Sequence, residues 1–263
     1  MNLHSPDERQ HVILDRLAAR GRVLAADLAR EFGTSEDTIR RDMRELAAAG
    51  LCRRVYGGAL PLSPASRTIR EREREAPARK AALGAAAAGL VAAGQTVLID
   101  AGSTNAAVAR ALPPGLGLTV VTNAPAVAAD LAGRPGVEVV VIGGRLDPDS
   151  GACLGARAVR DVALLRPDLC FLGACAVDPG AGVAAFGFEE AEFKRAAAAA
   201  SAAVAVAVTN EKLGTAAPHV VTAAGGVAHL VVEADAEPAR LAGFDRAVTR
   251  IHLAAAVAAV PES

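Results

Sequence analysis

Hydrophobic positions recur at helical spacing in the segment between Gly33 and Gly50. At about 100° per residue, Ile39, Met43 and Leu46 fall on one face of the predicted helix, and Gly50 falls on the same side. The opposite face and its flanks carry the polar residues Thr38, Arg40, Arg41 and Arg44. A helix that is apolar behind and rich in arginine in front has the shape that enters the major groove of DNA.

The residues before this helix predict how it starts. Thr34 and Ser35 can both accept hydrogen bonds from the free N–H groups of the first turn, and Thr34 with Asp37 fits an acidic capping box. Upstream, residues 22–32 are predicted to form a short helix that Gly33 ends in a left-handed conformation. The sequence therefore predicts two helices joined by a tight turn.

The flanking segments complete a small domain. Ser5, Pro6 and Glu8 fit the start of a first helix that Gly21 ends. After the arginine-rich helix, residues 52–59 predict a strand that enters a glycine turn. Together the elements predict a winged helix-turn-helix, and the wing residues that we expect near DNA phosphates are Arg53, Arg54 and Tyr56.

From Pro77 onward, apolar runs of strand length alternate with segments of helical length. The predicted strands are 96–99, 118–121, 137–142, 169–173, 204–208, 229–232 and 248–253. The predicted helices lie near 78–93, 104–112, 124–133, 155–165, 188–202 and 236–242. Because these strands lack polar alternation, both of their faces should be buried, which predicts a mostly parallel sheet with helices on each side.

A linker is predicted between the two parts. Pro61, Ser63, Pro64 and Ser66 interrupt regular structure, and residues 67–75 alternate arginine with glutamate. Such alternation is typical of an exposed helix or a solvated connector, and a direct contact of these arginines with DNA is the weaker alternative. The predicted division is a winged helix-turn-helix at 6–60, a linker at 61–76 and an α/β domain at 77–254.

The net charge of −1 at first argues against a protein that binds nucleic acid. However, residues 1–80 carry 16 Arg and Lys against 12 Asp and Glu, whereas residues 81–263 carry 12 against 17. A basic head on an acidic body fits a protein that touches DNA at one end. Because a single head offers few phosphate contacts, specific binding should need a dimer.

Composition narrows the class of protein further. The 263 residues suffice for two domains, and with 52% hydrophobic but only 3% aromatic residues the core should be aliphatic. The four cysteines form no C-x-x-C pair and the histidines lack metal spacing, so we expect buried reduced thiols and no metal or other cofactor. A polar N terminus, and apolar runs too short to cross a bilayer, predict a cytoplasmic protein without membrane contact.

A ligand site is predicted at one edge of the sheet. In parallel sheets, ligands bind where the carboxyl ends of strands meet helix N termini. The candidate residues in four such loops are Asp100, Gly102, Ser103, Thr104 and Asn105, then Thr122 and Asn123, then Gly143, Gly144 and Arg145, and finally Asp178. Each loop alone could simply form a turn and cap a helix, but together they predict a site for a small molecule that carries phosphate.

Residues 6–60 resemble the DNA-binding head of DeoR-type bacterial repressors. The match rests on the run Thr38-Ile39-Arg40-Arg41-Asp42 followed, at the family's distance, by Gly57-Gly58-Ala59. The departures are mild, since Gly33-Thr34 stands where the family has Val before the capping Ser, and Met43 replaces a Leu. The resemblance implies that Ser35 joins Thr38, Arg40, Arg41 and Arg44 as a candidate DNA contact.

Residues 77–254 resemble the sensor domain of the same family. That domain is similar to pentose-phosphate isomerases, and its effectors are typically phosphorylated sugars or related intermediates. The resemblance implies that Lys194 and Lys212 join the ligand residues. Thr209 and Leu213 stand where the family has the Asp and Phe of its Asp-x-x-Lys-Phe-Gly motif, which leaves open whether the effector differs or binds more weakly.

The predicted function is a DNA-binding transcriptional regulator, a repressor of carbohydrate-metabolism genes that acts as a homodimer or homotetramer and is controlled by a phosphorylated sugar. The alternative is a sugar-phosphate isomerase with an appended DNA-binding domain, in which Asp178 and Glu189 would offer a carboxylate base and Lys194 a cation to stabilise the enediolate. Residues 176–187 offer only one carboxylate for such chemistry, so we expect no enzyme. A nicotinamide sensor would need a G-x-G-x-x-G after a strand, which the sequence lacks.

Overall fold

The computed structural model describes residues 5–63 and 68–257. Of the predicted linker, Pro64, Ser66 and Arg67 lie outside these ranges. The described chain forms a small N-terminal head and a larger α/β body, each with its own hydrophobic cluster. Within the described ranges, no helix is both long and apolar enough to span a bilayer.

The head is a winged helix-turn-helix. Ser5 and Glu8 form the predicted capping box at the start of its first helix, and Gly33 has the predicted left-handed conformation, with φ 65° and ψ 36°. Its strands are antiparallel, with β3 between β1 and β2. The elements of the head are α1 (Pro6–Arg20), β1 (Val23–Leu24), α2 (Ala25–Phe32), α3 (Glu36–Ala48), β2 (Cys52–Val55) and β3 (Gly58–Pro61).

The prediction of one helix over residues 22–32 was wrong at its start. Val23 and Leu24 form a strand that pairs with Ala59 and Gly58 of the wing. A side chain on Gly58 would place its Cβ 1.9 Å from the carbonyl oxygen of Val23, so only glycine permits this pairing. The wing lies more than thirty residues along the chain and gives these backbone groups partners that local propensity does not reveal.

The body is an α/β domain with a parallel sheet, as predicted. In the described chain this sheet has seven strands, in the order β15-β14-β12-β9-β4-β5-β6. They are β4 (Thr96–Ile99), β5 (Leu118–Thr122), β6 (Val137–Val141), β9 (Leu169–Phe171), β12 (Val204–Ala207), β14 (His229–Val232) and β15 (Arg250–Leu253). Each lies within two residues of a predicted strand, and every pairing is parallel.

Helices cover the sheet at the predicted places. The helices of the body are α5 (Pro77–Ala88), α6 (Ser103–Ala111), α7 (Pro125–Leu131), α8 (Ala156–Ala163), α9 (Phe188–Ala200) and α10 (Pro238–Leu241). Buried aliphatic side chains fill the space between the layers. The four cysteines are free and buried, as predicted. The central strands are therefore covered on both faces, whereas the edge strands β6 and β15 are partly exposed, unlike the prediction that both faces of every strand are buried.

Short antiparallel strands, which the sequence did not predict, surround the carboxyl edge of the sheet. One pair is β7 (Arg145–Leu146) with β8 (Cys153–Leu154). A second group is β10 (Ala176–Asp178), β11 (Gly182–Ala185) and β13 (His219–Thr222). Two residues of the predicted linker, Leu62 and Ser63, pair with Ala216 beside this group. The chain then forms α4 (Ile69–Arg74) before α5 begins.

Candidate functional sites

Helix α3 presents its arginines to solvent. Ile39, Met43 and Leu46 are buried against the head, whereas Arg41 and Arg44 are exposed. Arg40 is also exposed and donates to Glu36, one turn earlier, at 2.7 Å. The basic face is therefore accessible, as the prediction of a DNA-binding helix requires.

Ser35 caps helix α3. Its Oγ accepts from the backbone N–H of Thr38 at 3.2 Å and lies 2.9 Å from the Thr38 hydroxyl. The predicted capping role of Thr34 is therefore wrong, because the helix begins one residue later than that pairing requires. The cap fixes the end of the helix at which Thr38 and Arg41 project.

A buried ion pair sets the position of α3 on α1. Arg9 donates from Nε and Nη2 to the two carboxylate oxygens of Asp42, at 2.7 and 3.1 Å. Both side chains are buried, and the hydrogen bond to Asp42 raises the pKa of Arg9. Because a bidentate pair has a defined orientation, it fixes both the rotation and the register of the basic face.

The wing residues differ in their surroundings. Tyr56 is fully exposed at the tip of the wing, and Arg54 is exposed beside it. The exposed Arg53 instead donates from Nη2 to the carbonyl oxygen of Pro218 in the body, at 3.2 Å. In this arrangement Arg54 and Tyr56 are open to DNA, while Arg53 also joins the head to the body.

The ligand residues converge where the order of the sheet reverses. The chain runs outward from β4 to β6 and then returns to β9, which pairs with β4 on its other side. The loops after these two neighbouring strands contain Gly102 and Gly173, and both line one small pocket. Such a switch point is where open α/β sheets bind ligands.

The first turn of α6 forms one wall of the pocket. Gly102, with φ 150°, precedes the helix, and among the described residues no side chain caps this end. Ser103, Thr104 and Asn105 line the pocket, and Asn105 Nδ2 holds the loop by donating to the carbonyl oxygens of Asp100 and Phe171. Uncapped N–H groups, hydroxyls and the helix dipole make this wall suited to an anion.

Two lysines, Lys194 and Lys212, also line the pocket. Lys194 is buried and paired with Asp100 and, at 3.3 Å, with Glu190. Although burial alone would lower it, these carboxylates raise the pKa of Lys194. Lys212 is half-buried and donates to the carbonyl oxygen of Ala174 at 2.9 Å. Lys194 is thus neutralised by protein carboxylates, whereas the hydrogen-bond partner of Lys212 among the described residues is neutral.

Of the two lysines, Lys212 is the one whose pKa is lowered. Desolvation lowers its pKa to about 8, and repulsion from Arg72, Lys80 and Lys194 contributes to the lowering. A phosphate group in the pocket would supply the negative partner that Lys212 lacks among the described residues. The electrostatics therefore favour an anionic ligand.

Several predicted ligand residues support the pocket without lining it. Asp100 is buried and accepts from the backbone N–H of Gly173 at 2.9 Å. Thr122 donates to the carbonyl oxygen of Ile99 at 2.6 Å, and Asn123 accepts from the N–H of Ala101 at 3.1 Å. These side chains fix the two ligand loops from behind.

The segment after β6, which contains Gly143, Gly144 and Arg145, borders a second cavity next to the small pocket. Gly144 approaches β8 so closely that a Cβ would lie 2.5 Å from the carbonyl oxygen of Leu154. Arg145 lines a cavity of about 460 Å³ and pairs with Glu189. This cavity shares Arg72, Cys175 and Glu190 with the small pocket. The third predicted loop therefore borders this larger cavity and does not line the small pocket.

Asp178 does not lie at this site, contrary to the sequence-based expectation. It turns the β10–β11 hairpin by accepting from the N–H groups of Gly180 and Ala181, and it faces Arg22 of the head at 3.1 Å. The expected loop was wrong because β10 continues into an antiparallel hairpin instead of a helix. The three groups that an isomerase would need, Asp178, Glu189 and Lys194, consequently do not line one pocket.

Arg72 and Glu190 were missed as pocket residues. Both line the small pocket and the larger cavity. Arg72 belongs to the arginine–glutamate run that was predicted to be solvated, yet it is buried. The apolar residue Ile69 lies three residues earlier on the same face of the helix, and it indicated that this face of the run is buried.

The chain matches two family models, one for each part. The description "DeoR C terminal sensor domain" matches residues 75–234, and "DeoR-like helix-turn-helix domain" matches residues 9–65. The chain belongs to the DeoR family of transcriptional regulators. This confirms the resemblance inferred from the Thr-Ile-Arg-Arg-Asp run and from the loops of the sensor domain.

Named relatives agree with this family. The HTH-type transcriptional regulator GolR of Listeria innocua is 29% identical, over 87% of this chain and 91% of its own. The glycerol-3-phosphate regulon repressor of Escherichia coli is 31% identical, over 79% and 82%. The regulator GlpR of Haloferax volcanii is 34% identical, over 72% and 74%. Since these relatives are named as regulators, the alternative of an isomerase is not supported.

Solved structures show more distant likenesses. Ribose 5-phosphate isomerase A of Methanocaldococcus jannaschii aligns with 49% of this chain and 51% of its own, at 14% identity and a TM-score of 0.34. The full-length sorbitol operon regulator SorC of Klebsiella pneumoniae aligns over 81% and 92%, at 12% identity and a TM-score of 0.35. The assignment to the family rests on the two family models and the named relatives.

Proposed function

We propose that this chain is a repressor that releases or engages its DNA operator according to whether a phosphorylated sugar or related metabolite occupies the small pocket. The observation that carries the proposal is the joint presence of an exposed arginine face on α3 and a cationic pocket at the switch point of the sheet. The named relatives include a repressor of a glycerol-3-phosphate regulon, which supports a phosphate-bearing ligand. The protein acts in the cytoplasm, where both DNA and phosphorylated metabolites occur.

The repressor works as a dimer or tetramer of this chain. A single α3 offers few contacts, and paired heads must reach half-sites about 34 Å apart, one helical turn of DNA. A ligand that binds one arrangement of the body more tightly than another changes the spacing of the heads and therefore the affinity for DNA.

The proposal is tested by measuring DNA and ligand binding together. Duplexes selected from a random pool with the full-length protein would serve as the operator. Thermal shift against inorganic phosphate, glycerol 3-phosphate and pentose and hexose phosphates would identify ligands. We expect at least one phosphate ester to raise Tm and to change the Kd for DNA about 5- to 150-fold. Unphosphorylated sugars serve as the control, and equal stabilisation by them would contradict the proposal.

Ligand binding should weaken as the pH rises through 8. Because the pKa of Lys212 is lowered to about 8, its amine is charged below that pH and becomes neutral above it. Phosphate esters are fully dianionic above about pH 7, so their own titration does not interfere between pH 7.5 and 9.5. We expect the Kd of the best ester to rise several-fold over this range.

Lys212→Met provides the matched control for this pH dependence. The variant should bind more weakly at pH 7.5 and should lack most of the change with pH, because Lys194 remains charged throughout the range. An unchanged slope in the variant would show that another group is responsible.

A further inference from the structure

Arg72 is held inside the body by backbone contacts. Thr68 caps helix α4 and forms a capping box with Glu71, and the N–H of Ile69 donates to the carbonyl oxygen of Asp149 at 2.7 Å. Arg72 Nη2 donates to the same oxygen at 3.2 Å. From the next helix, Lys80 donates to the carbonyl oxygen of Arg72. The arginine is therefore fixed in place by the loop that contains Asp149 and by the following helix.

The guanidinium of Arg72 has one N–H group, at Nε, that lacks a partner among the described residues and could donate to a ligand. The residue is only 9% exposed, and its Nε is buried with no hydrogen-bond partner among the described residues. An unpaired buried donor is costly, and most such groups in proteins find a partner. Arg72 also lines the small pocket together with Ser103, Lys194 and Lys212.

The charges around Arg72 favour an anion at this position. Arg72 and Lys212 belong to one group of cations that repel each other, as the lowered pKa of Lys212 records. At the small pocket, Glu190 and the supporting Asp100 are both engaged by Lys194. A ligand oxygen between Arg72 and Lys212 would relieve the repulsion and satisfy the unpaired N–H.

Arg72 belongs to the segment that connects the head to the body. Strand β3 of the wing leads directly to Leu62 and Ser63, and Ser63 donates to the carbonyl oxygen of Cys175 at 2.5 Å. Cys175 lines the same pocket as Arg72. The connecting segment thus contacts the pocket walls at two places, before and after residues 64–67.

We propose that Arg72 binds the phosphate group of the ligand directly, so that the segment joining the head to the body is itself part of the ligand site. This inference rests on the proposed function and adds a mechanism of regulation to it. A ligand held by Arg72 therefore contacts the segment that leads to the head, and ligand binding is coupled to the position of the head through that segment.

Arg72→Gln tests this coupling, with Arg72→Lys and the exposed Arg70→Gln as companions. Arg70 lies on the same helix and is exposed, so its replacement matches the loss of charge without touching the pocket. Each full-length variant is titrated with inorganic phosphate and with the phosphate ester that stabilises the wild type. The Kd for the selected duplex is measured with and without that ester.

We expect Arg72→Gln to bind the ester at least roughly tenfold more weakly and to lose the effect of the ester on DNA affinity. Its DNA affinity without ligand should match that of the wild type, which a merely structural role of Arg72 would not predict. Arg70→Gln should behave as wild type. Arg72→Lys should fold even where the Gln variant does not, and should keep binding phosphate with a reduced effect on DNA.

Two results would overturn the inference, and they are distinguishable. If Arg72→Gln and the wild type bind the ester equally and respond equally, Arg72 is not a ligand contact, although the proposed function stands. If the wild type binds neither phosphate nor any ester, the proposed function fails and the inference fails with it.

Discussion

Replacing Arg41 and Arg44 together by alanine is expected to abolish measurable binding to the selected operator. Both guanidinium groups are exposed on the face of α3 opposite its buried stripe. Each good arginine contact with a base contributes about 1–3 kcal/mol of discrimination, so the two contacts of one head correspond to about 2–6 kcal/mol and the four of a dimer to at least about 4 kcal/mol, a loss of several hundredfold or more. Fluorescence anisotropy with the labelled duplex at fixed salt would measure the effect.

The matched control removes two arginines from the body. Arg157 and Arg160 are exposed on α8, and their double replacement by alanine changes the net charge equally. We expect this control to bind DNA as the wild type does, and both double variants to retain the Tm of the wild type. Wild-type affinity in the Arg41/Arg44 variant would exclude α3 as the DNA-binding surface.

Asp42→Ala is expected to unfold the head while the body stays folded. The change leaves Arg9 buried without its carboxylate, and breaking such a pair costs about 3–5 kcal/mol. A domain of this size has little more stability than that to lose. Thermal unfolding followed by far-UV circular dichroism should lose the part of the signal that the head contributes, and hydrogen exchange should show rapid exchange confined to residues 5–61.

Two controls separate the buried pair from ordinary surface charge. Asp27 pairs with Arg30 at the surface, so Asp27→Ala should cost less than about 1 kcal/mol. Arg9→Met combined with Asp42→Leu removes both charges and should recover most of the lost stability. A head that stays as stable in Asp42→Ala as in Asp27→Ala would show that the ion pair does not hold α3.

The elements of this fold were predictable because their signals are local. Runs such as Val204–Ala207 are apolar on both faces, which only a covered parallel strand accommodates, and Gly33 ends α2 by its own conformational freedom. The start of α2 was not predictable in this way. Val23 and Leu24 form a strand because the distant wing provides partners, which a local window cannot contain.

The distinction between local signals and distant partners also applies to the residues of the ligand site. Gly102, Ser103 and Thr104 follow a strand and begin a helix, so their place in the pocket follows from order along the chain. Asp178 also follows a short strand, but the hairpin after it turns the carboxylate toward Arg22 of the head. Arg72 could not be found from charge patterning, because its burial depends on how residues 147–151 fold over α4.

The bond between Arg53 and Pro218 has a consequence for the strength of repression. The guanidinium that would contact a phosphate of the duplex also donates to a carbonyl of the sensor domain. Where Nη2 of Arg53 has to leave Pro218 in order to reach a phosphate, the free energy gained by docking the head onto the body is subtracted from that gained on the operator. A head that docks more firmly on the body would therefore bind the operator more weakly, without any change in a base contact.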